Sequence, residues 1–140
     1  MVKIKWDTNY WIKESTKEKT KRFGRYIVEK TTSFGESTGT SLQGYVNSTY
    51  ANIVRRLGEP SSNGDGYKVD AEWILKVREI GSDGLVRSLF PMTIYNYKDG
   101  RNYSGEAGLY VEDITDWHLG GRDEEVKKVA KEIFTFGVTD

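Results

Sequence analysis

Apolar and polar positions alternate along several stretches of this chain, and in two others the apolar ones recur every three to four residues. In VKIKWDTNYWI (2–12), Val2, Ile4 and Trp6 fall on one side and Lys3, Lys5 and Asp7 on the other, the period of a strand with one buried face. RYIVEKTT (25–32) is rich in β-branched residues and predicts a second strand, with the polar run KESTKEKTKR (13–22) as the loop between them. SLQGYV (41–46) is short and strand-like. YKVDAEWILKV (67–77) alternates most clearly: Tyr67, Val69, Ala71, Trp73, Leu75 and Val77 inward, Lys68, Asp70, Glu72 and Lys76 outward. SLFPMTIYNYK (88–98) follows, its Pro91 predicting an edge, a bulge or a late start to pairing. KDGRNYSGEAG (98–108) reads as a long loop, and VEDITDWHLGG (111–121) returns as a strand.

Two segments carry the helical period. In NSTYANIVRRLGEP (47–60), Tyr50, Ile53, Val54 and Leu57 form one apolar stripe, with Arg55 and Arg56 off it. Ser48 or Asn47 suits its N-cap, Gly58 its C-terminal turn, and Pro60 forbids continuation. In EEVKKVAKEIF (124–134), the stripe is Val126, Val129, Ala130, Ile133 and Phe134, capped by Asp123, with Glu124 and Glu125 complementing the positive helix end. Consecutive strands with short turns and two one-sided helices predict an α+β fold: an antiparallel β-sheet meander with two helices packed on one face, plus an N-terminal β-hairpin. The Gly/Ser/Thr-rich SFGESTGTS (33–41) separates a basic arm, residues 1–35, from a core over 40–136, one globular domain overall.

Composition narrows the chemistry. A chain of 140 residues with 13% aromatics is long and apolar enough for one core. The absence of cysteine excludes disulfides, thiolate zinc sites and a cysteine nucleophile. No apolar run approaches the roughly 20 residues of a membrane helix, and the first residues mix charge with aromatics, unlike a signal peptide. The cytoplasm is the expected compartment. The net charge of zero hides an imbalance: residues 1–35 hold nine Lys/Arg against four Asp/Glu. Lys17, Lys19, Lys21, Arg22 and Arg25 are therefore candidate contacts to nucleic acid, although Glu18 and Thr20 interrupt any clean stripe and ordinary surface charge is the preferred reading.

His118, in DITDWHLGG, is the sole histidine. Period two places Trp117 and Leu119 inward and His118 on the other face, with Asp116 on its own side as a potential carboxylate partner. Structural, ligand-binding and catalytic roles all remain open for it. Asp70 and Glu72, with Asp113 or Asp116, could form a cation site; with Lys68 and Lys76 to pair them, the preferred reading is an ordinary solvated strand face, and no metal is expected. Tyr95, Tyr97, Lys98, Arg101, Asn102 and Tyr103 combine ring faces for bases with cations and amides for phosphates. GGRDEE (120–125) sets Arg122 before a helix N-terminus, a weak anion-binding arrangement without a P-loop.

The blocks SLQGYV, TYANIVRRLGEP, GDGYKVDAEW, TIYNYKDGRNY and DITDWHLGG together resemble a group of small tailed-phage and prophage proteins, over about residues 40–135. That resemblance implies an accessory factor against host defence, acting on a CRISPR effector nuclease or on a nucleotide second messenger, and it supplies no catalytic residues. The expectation is a non-enzymatic, cofactor-free, homo-oligomeric binding protein that counters host immunity. Its ligand-binding residues would be Tyr95, Tyr97, Arg101, Asn102, Tyr103, His118, Arg122, Arg55 and Arg56, with sites at subunit interfaces where Arg55, Arg56 and Tyr103 meet phosphates and bases. The alternatives are a nucleic-acid-binding accessory protein using the basic arm, and a metal-dependent phosphodiesterase or nuclease using His118.

Overall fold

The computed structural model describes residues 20–32 and 39–140. The strand expected over 2–12, Lys17 and Lys19 lie outside the described residues. Seven strands form one sheet: β1 (Thr20–Phe23), β2 (Tyr26–Thr31), β3 (Ser41–Asn47), β4 (Glu72–Ile80), β5 (Val86–Tyr95), β6 (Asp116–Gly121) and β7 (Val138–Thr139). Their order is β1-β2-β4-β5-β6-β3-β7, and every neighbouring pair is antiparallel. The helices are α1 (Tyr50–Leu57), the single turn α2 (Arg101–Ser104) and α3 (Glu125–Phe134). The α+β antiparallel architecture is the one the alternation predicts. The meander is continuous over β4-β5-β6; β3 crosses to the far side of β6, and β2 joins the sheet beside β4.

One face of the sheet holds the core. Val28, Val46, Trp73, Leu75, Val77, Met92, Ile94, Trp117 and Leu119 are buried there, and α1 sets Ile53 and Leu57 against them. The α3 stripe, from Val126 to Phe134, completes it. Trp73 and Trp117 meet edge to face at 5.4 Å, and Tyr50 packs on both. Each indole N–H is satisfied at an end of α1. Trp73 Nε1 donates to the Gly58 carbonyl and Trp117 Nε1 to that of Ser48, both at 2.9 Å. The two tryptophans thus tie α1 to strands β4 and β6.

Several local expectations change. Residues 20–22, expected in a loop, begin β1, because Thr20–Phe23 pairs with Tyr26–Glu29. The N-cap of α1 is Thr49, whose Oγ1 accepts from the Asn52 N–H at 3.1 Å. Ser48 instead accepts from the Asn52 side chain. Strand β4 starts at Glu72, not at 67. Upstream, Asp65 Oδ1 accepts from the backbone N–H groups of Tyr67, Lys68 and Val69. That carboxylate satisfies the donors a strand would have used and leaves Tyr67 exposed. The expected loop at 98–108 contains α2 and a 3₁₀ turn, Gly105–Ala107. Pro91 pairs with Lys76 of β4 and has no ladder partner on the β6 side, where pairing begins at Met92, so the edge and late-start readings both hold. Among the described residues, no helix is long and apolar enough to cross a membrane.

Candidate functional site

Strand register builds the site on the face turned away from α1 and α3. Glu72 of β4 lies opposite Tyr95 of β5, Tyr95 opposite His118 of β6, and His118 opposite Tyr45 of β3. Directly opposed residues share a face, so these four form one rung across the sheet. The Tyr95 ring stacks on His118, centroids 5.3 Å apart with planes at 27°. Tyr45 meets the imidazole edge-on at 5.2 Å, and Tyr97 closes from the loop at 5.7 Å.

Among the described residues, His118 Nδ1 is buried without a hydrogen-bond partner. Burial holds the imidazole below its ordinary pKa, opposed by the charges of Asp99 and Asp116. Asp116 is no dyad partner: its Oδ1 accepts from Asn47 Nδ2 at 3.2 Å. Burial also raises the Tyr95 phenol, assisted by Glu72, Tyr97 and Tyr45. Glu72 is likewise raised, by burial and then by Asp65. In all three groups burial favours the neutral form over the charged one.

Tyr97 joins this rung to a more exposed, cationic patch. Tyr67, Tyr97 and Tyr103 are 56%, 41% and 41% exposed. Tyr67 and Tyr103 are in contact at 5.3 Å. The Lys68 ammonium stands 5.3 Å from the Tyr67 ring and 6.0 Å from Tyr97. The Lys98 ammonium stands 5.3 Å from Tyr97 and 5.1 Å from Tyr103. Three rings thus surround two cations.

A buried amide holds this patch in place. Asn96, fully buried, accepts the Asp70 and Ala71 N–H groups on Oδ1 at 2.7 and 3.1 Å. Its Nδ2 donates to the Asp70 and Asp99 carboxylates at 2.9 and 3.0 Å. Asp70 also accepts from the Asn102 N–H. The 65–70 turn, the end of β5 and α2 are therefore one hydrogen-bonded unit. Gly100 is required here, since a Cβ would lie 2.0 Å from Asp70 Oδ1. Within the unit Lys98 takes φ +69°, a left-handed conformation unusual for a non-glycine residue. Its N–H donates to the Lys68 carbonyl, and its own carbonyl accepts from Ser104 Oγ.

Of the residues singled out by sequence, Tyr95, Tyr97, Tyr103 and His118 come together here. Arg101 and Asn102 are adjacent but engaged within the loop. Arg101 stacks on Tyr110 at 4.5 Å and reaches the Glu106 and Gly108 carbonyls, while Asn102 Nδ2 donates to Val69 O. Arg55 and Arg56 ride on α1, on the opposite side of the sheet. Arg55 bonds Asn52, and Arg56 Nε is buried without a partner among the described residues. Arg122 lies past the end of β6, near Gly39. The α3 N-terminus holds no open anion site: Asp123 Oδ1 already accepts the Glu125 N–H, with Glu124 and Glu125 beside it. Asp70 is occupied by Asn96 and Asn102, and no acidic or histidine cluster among the described residues suits a metal ion.

Tyr45, Tyr67 and Lys68 complete the surface and were not singled out. Tyr45 was accessible to the parity argument used for His118, because its neighbour Val46 is buried. The alternation over 67–77 predicts Tyr67 inward, but β4 begins only at Glu72 and Tyr67 is exposed. No family model matches this chain, and no curated protein and no solved structure matches it either.

Proposed function

We propose that this chain is a non-enzymatic, phage-type binding protein that counters host immunity by sequestering a nucleotide signalling molecule on the tyrosine–lysine surface. The observation that carries the reading is the pair Lys68 and Lys98, each set against two tyrosine rings on a loop unit pinned by buried Asn96. A nucleotide presents two chemistries at short separation, a flat base and a charged phosphate. Ring faces take the first and ammonium groups the second. The preorganised loop reduces the ordering cost of binding. The phage context and the role against host defence rest on the resemblance of the sequence blocks.

The test is native mass spectrometry of the full chain purified from cells with an active nucleotide-based defence system, followed by denaturation and analysis of what is released. A stoichiometric, unchanged nucleotide supports the reading. A co-purifying defence protein with no nucleotide would replace it with direct inhibition of an effector such as a CRISPR nuclease. A hydrolysed nucleotide would point to an enzyme.

A second reading, nucleic-acid binding, is favoured by one observation. Arg22, Arg25 and Arg87 line a cleft of about 540 Å³ between the β1–β2 and β4–β5 hairpins. Glu79 shares that cleft and pairs with Arg25 at 3.0 Å, which reduces its positive charge. Retention of DNA or RNA that falls steeply with salt would support this reading.

A further inference from the structure

Glu72 ends the rung on the β4 side, and its carboxyl is the one group of the four that is not a ring. Its backbone is fixed from both sides. The Glu72 N–H donates to the Ser62 carbonyl at 3.0 Å, its own carbonyl accepts from the Ser62 N–H at 3.1 Å, and Tyr95 stands opposite it in the β4–β5 ladder. The preceding Ala71 N–H is held by buried Asn96. The side chain therefore leaves the sheet in a set direction, on the face that carries Tyr95 and His118.

Glu72 is half-buried, and among the described residues its carboxylate has no hydrogen-bond or ion-pair partner. The other carboxylates around this surface are engaged. Asp65 accepts from three backbone N–H groups, Asp70 from Asn96 and Asn102, and Asp99 from Asn96. The Glu72 oxygens are not sealed off, since the enclosed, unpartnered side-chain atoms among the described residues are Arg56 Nε and His118 Nδ1. A carboxylate held partly out of water without donors is costly, and burial raises its pKa for that reason. The missing complement is a pair of N–H donors from outside the chain.

We propose that Glu72 selects guanine: the base lies against the tyrosine rings with its N1–H and amino group donating to the two carboxylate oxygens, and the phosphate lies at Lys68 and Lys98. This rests on the nucleotide reading and names the base that the same site takes. Guanine is the common base whose pairing edge sets two donors side by side, the bidentate complement of a carboxylate. Adenine and cytosine set a ring-nitrogen acceptor beside the amino group, and uracil flanks its N–H with carbonyls, so each turns a lone pair towards Glu72. The negative charge also orients the ligand, because it repels phosphate from the end of the rung and leaves it to the ammonium groups. Carboxylate, rings and cations adjoin. Glu72 and Tyr97 both act on the Tyr95 phenol, and Glu72 is in turn influenced by Asp65, whose turn carries Tyr67 and Lys68.

Calorimetric titration of the full-length protein with GMP, IMP and AMP tests the proposal. IMP keeps the ring N–H and lacks the amino group. Affinity should fall in the order GMP, IMP, AMP, with GMP bound roughly tenfold or more tightly than AMP. Glu72→Gln replaces two acceptors by an acceptor and a donor, the pattern that suits adenine. It should lose about tenfold in GMP affinity and keep or gain AMP affinity. The carboxylate supports no other side chain, so the variant should unfold at the wild-type temperature or above it. If it unfolds earlier, the ranking of the three nucleotides by the wild type decides alone. AMP bound as tightly as GMP by the wild type, or a GMP preference that survives in a stably folded Glu72→Gln, overturns the assignment and leaves the nucleotide site standing. Failure of GMP, IMP, AMP, CMP and UMP alike to bind at millimolar concentration overturns the nucleotide reading, and this inference with it.

Discussion

The Tyr95 ring stacks on the His118 ring at 5.3 Å, and Tyr45 abuts the other side of the rung, so the only histidine of the chain lies between tyrosines of two neighbouring strands. Folding lowers the affinity of this imidazole for a proton, since burial is the largest influence on it. The unfolded chain, titrating near 6.5, takes up the proton first as pH falls. Stability is therefore complete above that value and is lost as pH drops from it through the depressed folded value. Urea unfolding between pH 8 and pH 5 should show this loss, and His118→Phe should flatten it. An unchanged slope in the variant would assign the titration to another group.

Tyr97 touches both halves of the surface, the rung through His118 and the patch through Lys68 and Lys98. If the proposed nucleotide site is correct, Tyr97→Ala should weaken nucleotide binding by about 1–3 kcal/mol, the cost of losing one stacked base. Lys98→Ala should also weaken it and reduce its salt dependence, because one screened ammonium–phosphate attraction is lost. Calorimetric titration at several salt concentrations separates the two effects. Equal salt slopes in Lys98→Ala and wild type would remove Lys98 from the site.

Asn96 is buried and every polar atom of its side chain is bonded. Asn96→Ala leaves the Asp70 and Ala71 N–H groups without their acceptor, and a buried orphaned donor costs about 1–3 kcal/mol. The variant should lose about 3 kcal/mol overall and release the loop unit that carries Lys68, Lys98 and Tyr103. Chemical denaturation measures the first effect. Faster amide exchange confined to 65–71 and 96–104 measures the second.

Trp117 is fully buried and donates to the Ser48 carbonyl at the start of α1. Trp117→Phe should retain most of the packing but orphan that carbonyl, costing about 1–2 kcal/mol. Trp117→Ala should cost about 3–5 kcal/mol through the cavity it leaves. Thermal unfolding of the two variants against wild type tests the order.

Local periodicity was enough to place the core. Alternation set Trp73, Leu75 and Val77 against the helices, and the three-to-four spacing did the same for Ile53, Leu57 and the α3 stripe. The same parity put His118 on the face opposite Trp117 and Leu119, because successive side chains of a strand point to opposite faces. Composition also marked 95–103 as aromatic and cationic. These properties are written in neighbouring residues and need no knowledge of distant ones.

Tertiary structure decided which distant residues meet. Tyr45, Tyr95 and His118 share a rung only because β6 is inserted between β3 and β5, a choice of strand neighbour and register that no local pattern encodes. Tyr67 and Lys68 reach Tyr97 and Tyr103 because Asp65 and Asn96 capture backbone N–H groups that the alternation assigns to a strand. Arg55 and Arg56 carry suitable charge, yet α1 places them across the sheet from the rings. Sequence determined what each face carries; long-range pairing and buried side-chain-to-backbone hydrogen bonds determined which faces and loops meet, because those interactions join residues tens of positions apart.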